Sequence, residues 1–192
     1  MTEADVLSLF EKTQALLSGH FQLSSGLHSP QYMQCARLLA HPEHAEALGR
    51  ALAAKCPKPR LVVSPAMGGL IIGQEVARAL GVRHYFTERE NGVMTLRRGF
   101  RIERDEPIVV VEDVLTTGKS SQEVIDLLQA QGGAPIAVVS IVDRSSGLTR
   151  LPVPKASLLQ LTIPSYAVHE CPQCKAGVAV VKPGSRTPPK PQ

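Results

Sequence analysis

Two adjacent carboxylates stand directly before a short loop of small and hydroxyl-bearing residues. Glu112 and Asp113 end an apolar run, and residues 116–120 read TTGKS. Small residues let successive backbone N–H groups converge on one anion, and the dipole of a following helix adds to that attraction. The pattern predicts a binding site for a single phosphate group at residues 116–120.

The residue at position 113 distinguishes this loop from one that binds a nucleoside triphosphate. The pattern G-x-x-x-x-G-K-[ST] needs glycine there, and this chain has aspartate. A carboxylate would repel a triphosphate, whereas the hydroxyl groups of a ribose can donate hydrogen bonds to ionised carboxylates. We therefore expect the phosphate to belong to a sugar whose vicinal hydroxyls bind Glu112 and Asp113. The alternative is an ordinary strand–helix turn with a polar cap, which the free-energy cost of burying two acids disfavours.

The elements that position this loop alternate between strands and helices. Short apolar strands are predicted at residues 61–64, 82–86, 108–111, 136–142 and 158–162, and helices at residues 3–17, 42–54, 66–80 and 120–131. Strands that lack polar alternation are buried on both faces, and helices between them indicate parallel pairing. The predicted fold class is therefore α/β, with an open, mostly parallel sheet flanked by helices. Ligands of such sheets bind beyond the carboxyl ends of the strands, where the phosphate loop stands.

The two ends of the chain do not follow this alternation. Residues 19–34 are rich in glycine and serine and predict a structured loop. We expect one domain with its core at about 45–150 and a small hood, or cap, from about 1–44 and 151–182 over one edge of the sheet. The polar, proline-rich tail 183–192 is predicted to be flexible.

Composition disfavours several classes of protein. Hydrophobic residues make up 43% of the chain, but no apolar run reaches the ~18 residues of a transmembrane helix. The acidic N-terminus lacks the features of a signal peptide, so we expect a cytoplasmic protein whose four cysteines are reduced. A net charge of +4 fits a small anionic ligand. The low aromatic content, 4% without tryptophan, argues against a base-stacking surface for nucleic acid.

The stretch from Ile108 to Ser120 resembles the signature of the type I phosphoribosyltransferases, which bind 5-phosphoribosyl-1-pyrophosphate (PRPP). All thirteen positions fit the pattern of four apolar residues, two acids and VLTTGKS. The resemblance implies the fold of that family, with the 5′-phosphate at residues 115–120 and the 2′- and 3′-hydroxyls on Glu112 and Asp113. It places PRPP on Met67, Gly68, Arg89, Glu112, Asp113, Val114, Leu115, Thr116, Thr117, Gly118, Lys119 and Ser120.

The segment GHFQLSSGLHSPQYMQ at residues 19–34 is similar to the N-terminal signature of the orotate phosphoribosyltransferases. The triplet VDR at residues 142–144 also fits that family, which uses the arginine on the carboxylate of the base. A guanidinium that pairs with a carboxylate suits orotate. The resemblance implies transfer of the phosphoribosyl group from PRPP to orotate, with Thr116, Arg144 and His28 as orotate contacts. The alternatives are a phosphoribosyltransferase for a purine or another base, and a PRPP-binding regulator without catalysis.

The catalytic assignments also come from this resemblance. They place Asp113 near the positive charge that develops on the ribose, and Arg89 over the pyrophosphate with its loop. They further imply Mg²⁺ held mainly by PRPP, and a homodimer with shared active sites. Two departures from the family pattern are His28, where many members have lysine, and residues 64–69, SPAMGG, which lack the usual lysine of the pyrophosphate loop.

Residues 87–107 are charged and contain two glycines, so they predict a mobile loop or a hairpin. By resemblance, Arg89 matches a basic position of the family's catalytic loop. The later arginines of this segment match no family position with certainty, and a solvated hairpin face is the alternative for all of them. They are Arg97, Arg98 and Arg101.

The pair Cys171 and Cys174 has the spacing of zinc ligands. A closed zinc site needs four ligands, and Cys35, Cys56 or a partner subunit are the candidates for completing it. His169 lies close in sequence. A single CxxC favours the alternative, a structural turn packed against the hood.

Overall fold

A computed structural model describes residues 1–23 and 25–183 as a six-stranded sheet with helices on both faces and a separate hairpin. The elements, in chain order, are α1 (Glu3–Lys12), β1 (Leu16–Gln22), β2 (His28–Met33), α2 (Cys35–Leu39), α3 (Pro42–Ala53), β3 (Leu61–Pro65), α4 (Gly69–Leu80), β4 (Arg83–Glu90), β5 (Val93–Leu96), β6 (Pro107–Leu115), α5 (Lys119–Ala130), β7 (Ala134–Asp143), β8 (Lys155–Gln160) and α6 (Pro172–Lys175).

The large sheet has the strand order β5-β4-β3-β6-β7-β8. All neighbouring pairs are parallel except β4–β5, which is an antiparallel hairpin. The central strands are buried: β3 is inaccessible along its whole length, and β6 is inaccessible from Ile108 to Val111. The prediction of a mostly parallel α/β sheet is confirmed, and both faces are covered as such strands require.

Two apolar clusters cover the two faces of the sheet. Val109 and Val111 of β6 belong to a cluster that includes residues of α1, α3 and α4. Ile108 and Val110, on the opposite face, belong to a second cluster with α5, whose Leu128 is fully buried. Burial of each such aliphatic side chain stabilises the fold by about 1.5–3 kcal/mol. This packing fixes the direction in which β6 delivers the phosphate loop.

The hood differs from its predicted form. Residues 19–34 contain the β1–β2 hairpin, and the antiparallel pairing starts at Leu16. The first helix is shorter than predicted and ends at Lys12, since Gln14 has a left-handed backbone (φ 51°). Helix α1 and strand β8 pack into the main core, so only the hairpin and the segment after β8 form the hood.

Backbone pairing joins the two parts of the hood. Phe21 bridges to Val181, and His28 bridges to Tyr166. The expected flexible tail falls almost wholly on residues 184–192, outside the described part of the chain. No helix among the described residues is long and apolar enough to cross a bilayer.

The charged segment after β4 is a hairpin, one of the two predicted possibilities. Asn91 and Gly92 form its turn with φ values of 51° and 83°. Positive φ at both central residues is the requirement of a type I′ turn, and an Asn-Gly pair meets it at low steric cost.

Candidate active site

The phosphate loop connects β6 to the first turn of α5. Gly118 caps the helix with a left-handed backbone (φ 78°), and a Cβ at this position would collide with the side chain of Thr149. The hydroxyl of Thr149 donates to the carbonyl of Thr116 (2.7 Å), which braces the loop from outside. The first N–H groups of a helix have no intrahelical acceptor and attract an anion. Only glycine fits both the conformation and the contact at position 118.

The two carboxylates lie inside β6 rather than after it. Glu112 pairs in register with Ser140 of β7, and the ladder continues to Leu115. Because successive side chains of a strand point to opposite faces, the two acids diverge. Glu112 accepts a hydrogen bond from the Ser121 hydroxyl of α5, and Asp113 faces the loop after β3. The prediction that the strand ends at residue 111 was wrong, because pairing with β7 extends it.

Both carboxyl groups are harder to ionise than exposed ones. Burial raises the pKa of Glu112 to about 7, although the hydrogen bond from Ser121 acts in the opposite direction. Burial also raises the pKa of Asp113, against the effect of the backbone hydrogen bond from Val114 (2.9 Å). A ligand that donates hydrogen bonds to these oxygens would favour the ionised forms.

The loop after β3 contacts Asp113 directly. A Cβ on Gly68 would lie 2.6 Å from both carboxylate oxygens of Asp113. A Cβ on Gly69 would lie 2.9 Å from the carbonyl oxygen of Val111. Met67 is 80% exposed and stands at the tip of this loop, after a cis peptide bond. Two glycines therefore let the predicted pyrophosphate loop approach the phosphate-loop strand closely.

A cleft of about 900 Å³ opens beside the phosphate loop. One wall is formed by Thr116, Thr117 and Lys119. The hood contributes Tyr32, and Arg144 lies after β7. The cleft thus lies beyond the carboxyl ends of the parallel strands, as predicted for this fold.

Arg144 brings a buried cation to this cleft. Its backbone N–H donates to the Leu115 carbonyl (2.8 Å), which ties the end of β7 to the end of β6. Its Nε is buried and has no hydrogen-bond partner among the described residues. Burial lowers the pKa of Arg144. A buried donor without a partner is costly, so an anionic acceptor in the cleft would compensate this residue.

The neighbouring Asp143 holds this turn, and the sequence analysis assigned it no role. Its carboxylate accepts from Lys155 (2.5 Å) and from the backbone N–H of Ser145 (2.8 Å). Burial opposes ionisation, but these donors together keep the pKa of Asp143 below its usual value. The triplet VDR signalled a site, and only the structure shows that Asp143 positions the turn that carries Arg144.

Two predicted site residues lie elsewhere. His28 is only 4% exposed, and its Nδ1 contacts Nε2 of His20 at 2.8 Å. It is absent from the described residues that line the cleft, so the expectation that His28 contacts orotate is corrected. Arg89 forms an ion pair with Glu123 of α5 and donates to the carbonyl of Gly92 (2.8 Å). It also does not line the cleft in this conformation, and its catalytic role stays a prediction.

Comparisons with known proteins agree with this geometry. Residues 35–155 match the family model described as phosphoribosyl transferase domain. A curated orotate phosphoribosyltransferase of Pelotomaculum thermopropionicum is 52% identical over 188 residues, covering 97% of this chain and 99% of the relative. One from Thermotoga maritima is 51% identical over 183 residues, covering 94% and 98%.

A solved structure gives the same family at lower identity. The crystal structure of orotate phosphoribosyltransferase from Aeropyrum pernix superposes with a TM-score of 0.68 and 26% identity, covering 81% of this chain and 93% of that one. The signature at β6 and the open parallel sheet are thus accompanied by near-full-length similarity to curated proteins. On these grounds the chain belongs to the orotate phosphoribosyltransferase family.

Proposed function

We propose that this protein transfers the 5-phosphoribosyl group of PRPP to orotate, giving orotidine 5′-monophosphate and pyrophosphate in pyrimidine biosynthesis. The observation that carries the proposal is the buried, unpartnered Nε of Arg144 in the same cleft as the phosphate loop. Orotate is a base with a carboxylate, and that anion supplies the acceptor that Arg144 lacks among the described residues.

The sugar phosphate binds between the ends of β6 and α5. The backbone N–H groups from Leu115 to Ser120 and the hydroxyls of Thr116 and Thr117 hold the 5′-phosphate. Glu112 and Asp113 accept hydrogen bonds from the ribose hydroxyls, which favours their ionised forms. Thr116 also lines the cleft toward Arg144, so it can contact both the sugar and the base.

Asp113 is the residue closest to the chemistry. Displacement of pyrophosphate leaves positive charge on the ribose, and a fixed carboxylate stabilises that charge as it develops. The contact with Gly68 fixes the carboxylate between the two loops. The N–H groups of Gly68 and Gly69 are placed to receive the pyrophosphate.

We assign Mg²⁺ as the cofactor. The carboxylate oxygens of Glu112 and Asp113 and those of PRPP are the hard donors that Mg²⁺ prefers, so the residues present fit this ion. When bound, it supplies neutralisation of pyrophosphate charge.

Arg89 acts by closure of the β4–β5 hairpin. In the present conformation its guanidinium is paired with Glu123. Exposed ion pairs are worth ~0–1 kcal/mol, so the exchange of Glu123 for a pyrophosphate oxygen is energetically accessible. We also propose, from the resemblance to the family, a cytoplasmic homodimer in which this hairpin serves the neighbouring site.

The activity test follows the absorbance of orotate in the presence of the protein, Mg²⁺ and PRPP. We expect loss of orotate only when all components are present. Uracil, which lacks the carboxylate, should be a poor substrate, and adenine should not react. Absence of any PRPP-dependent loss of orotate would refute the proposal, and equal use of uracil would refute the role of Arg144.

A further inference from the structure

Four potential metal ligands converge at the junction of the two hood segments. His20 and His28 come from β1 and β2, and Cys171 and Cys174 come from the start of α6. Their ligand atoms all lie within 4.8 Å of one another. The first three are buried, and Cys174 is partly buried. Neither Cys35 nor Cys56 takes part, so the ligands expected to complete a CxxC site are corrected to two histidines.

The distances between these atoms resemble the edges of a small tetrahedron. Cys171 Sγ lies 3.5 Å and Cys174 Sγ lies 3.6 Å from Nε2 of His20. Cys174 Sγ lies 3.2 Å from Nδ1 of His28. Zinc bonds of about 2.3 Å to sulfur and about 2.0–2.1 Å to nitrogen give sulfur–nitrogen edges of about 3.5 Å in a tetrahedral site. An ion at the centre would therefore require only small movements.

The surroundings of His20 suit a metal ligand. Its Nδ1 lies 2.7 Å from the carbonyl oxygen of Val178, which can only accept a hydrogen bond. The proton is therefore on Nδ1, and the lone pair of Nε2 points at the two sulfurs and at His28. A backbone carbonyl that orients the second nitrogen is a common feature of metal-bound histidine.

The position of the cluster gives it a structural purpose. The segment after β8 places few large side chains in the core, and Val178, Val180 and Val181 are each about half exposed. It is tied to the hairpin by single backbone bridges and by the hydrogen bond from Gln173 to the Gly19 carbonyl (3.0 Å). A segment with so little apolar burial needs another source of stability.

We propose that His20, His28, Cys171 and Cys174 bind one structural zinc ion. A closed site with two sulfur and two nitrogen ligands is the coordination that zinc prefers. On binding, the two thiols release their protons to solvent and the histidines bind as neutral rings. The ion joins the hairpin to the C-terminal segment, and both of these line the cleft through residues such as Tyr32 and Ser165.

The first test is the metal content of protein purified without an affinity tag that binds metal. We expect about one zinc per chain in the wild type. Cys171→Ser and His20→Asn should each lose most of that zinc. Cys56→Ser and His169→Asn are matched controls outside the cluster and should retain it.

A second test does not depend on the folding of variants. Removal of zinc from the wild type with a strong chelator should lower Tm and expose the segment after residue 164 to protease, and added zinc should reverse both effects. Wild-type protein that contains no zinc and takes up none from excess zinc would overturn the proposal. Equal zinc content in Cys171→Ser and the wild type would overturn the ligand assignment, and binding of another metal in preference would overturn the choice of ion.

Discussion

The carboxylate of Asp113 lies against the α-carbon of Gly68, with no room for a side chain between them. A Cβ on Gly68 would meet both carboxylate oxygens at 2.6 Å. The loop after β3 and the acidic end of β6 are therefore fitted to each other, although 45 positions separate the two residues in the chain. This contact sets the position of the carboxylate that we assign to the reaction.

Gly68→Ala should displace the Asp113 carboxylate and lower kcat by at least about tenfold, which is ~1.4 kcal/mol of transition-state stabilisation. The reason is the collision of the new methyl group with the carboxylate. Steady-state kinetics in a double-mutant cycle with Asp113→Asn checks this. If the glycine acts through Asp113, Gly68→Ala should add little to the effect of Asp113→Asn when the two are combined. Fully additive effects would contradict the contact as the cause.

Asp113→Asn by itself should lower kcat by about 100-fold, because a neutral amide cannot stabilise developing positive charge. The fold should persist, since burial already raises the pKa of this carboxyl group and opposes its charge. Kinetics and thermal unfolding of the same preparation check both parts. A variant with near-normal kcat would show that the carboxylate has no role in the reaction.

Arg144→Ala should raise the KM for orotate by about 10- to 100-fold and change that for PRPP much less. A hydrogen bond to a charged group is worth about 1.5–3 kcal/mol, which gives this range. Arg144→Lys should restore only part of the affinity, because a lysine lacks the planar fork. Arg104→Ala, at an exposed position, is the control. Equal effects on both KM values would remove the assignment of the base site.

Glu112 should make the stability of the protein depend on pH. Its pKa rises from 4.5 to about 7 on folding, so the folded chain binds the proton more tightly than the unfolded chain. The free energy of unfolding should therefore fall as the pH rises from about 4.5 to about 7, by roughly 3 kcal/mol at most. Glu112→Gln should lack this loss, and its Tm relative to the wild type should rise across that window.

The matched control for this titration is Glu11→Gln, which replaces an exposed carboxylate of α1. Its Tm difference from the wild type should stay flat with pH. A flat difference for Glu112→Gln as well would contradict the raised pKa. PRPP should narrow the effect, because its hydroxyls favour the ionised form of Glu112.

The ion pair between Arg89 and Glu123 should restrain closure of the hairpin. Glu123→Gln should lower the KM for PRPP modestly, by up to about fivefold, since exposed pairs are worth ~0–1 kcal/mol. Arg89→Ala should lower kcat. If sites are shared, mixing Arg89→Ala with Asp113→Asn protein should restore part of the activity, because one hybrid site has both residues. Failure to restore activity after verified subunit exchange would contradict sharing.

The sequence determined the parallel sheet and the phosphate loop. Apolar strands such as residues 61–64 and the TTGKS turn are local patterns, and their physical causes act over a few residues. The glycine at position 118 and the acids at 112 and 113 could be assigned for the same reason. The resemblance to a family added Arg144, which no local pattern would have selected.

Only the tertiary structure decided which distant side chains meet. It directs Glu112 and Asp113 to opposite sides of one strand and removes His28 from the cleft. It joins His20 and His28 to Cys171 and Cys174 across about 150 positions of chain. Strand register and side-chain burial fix these meetings, and both depend on the packing of the whole chain rather than on the spacing within any segment.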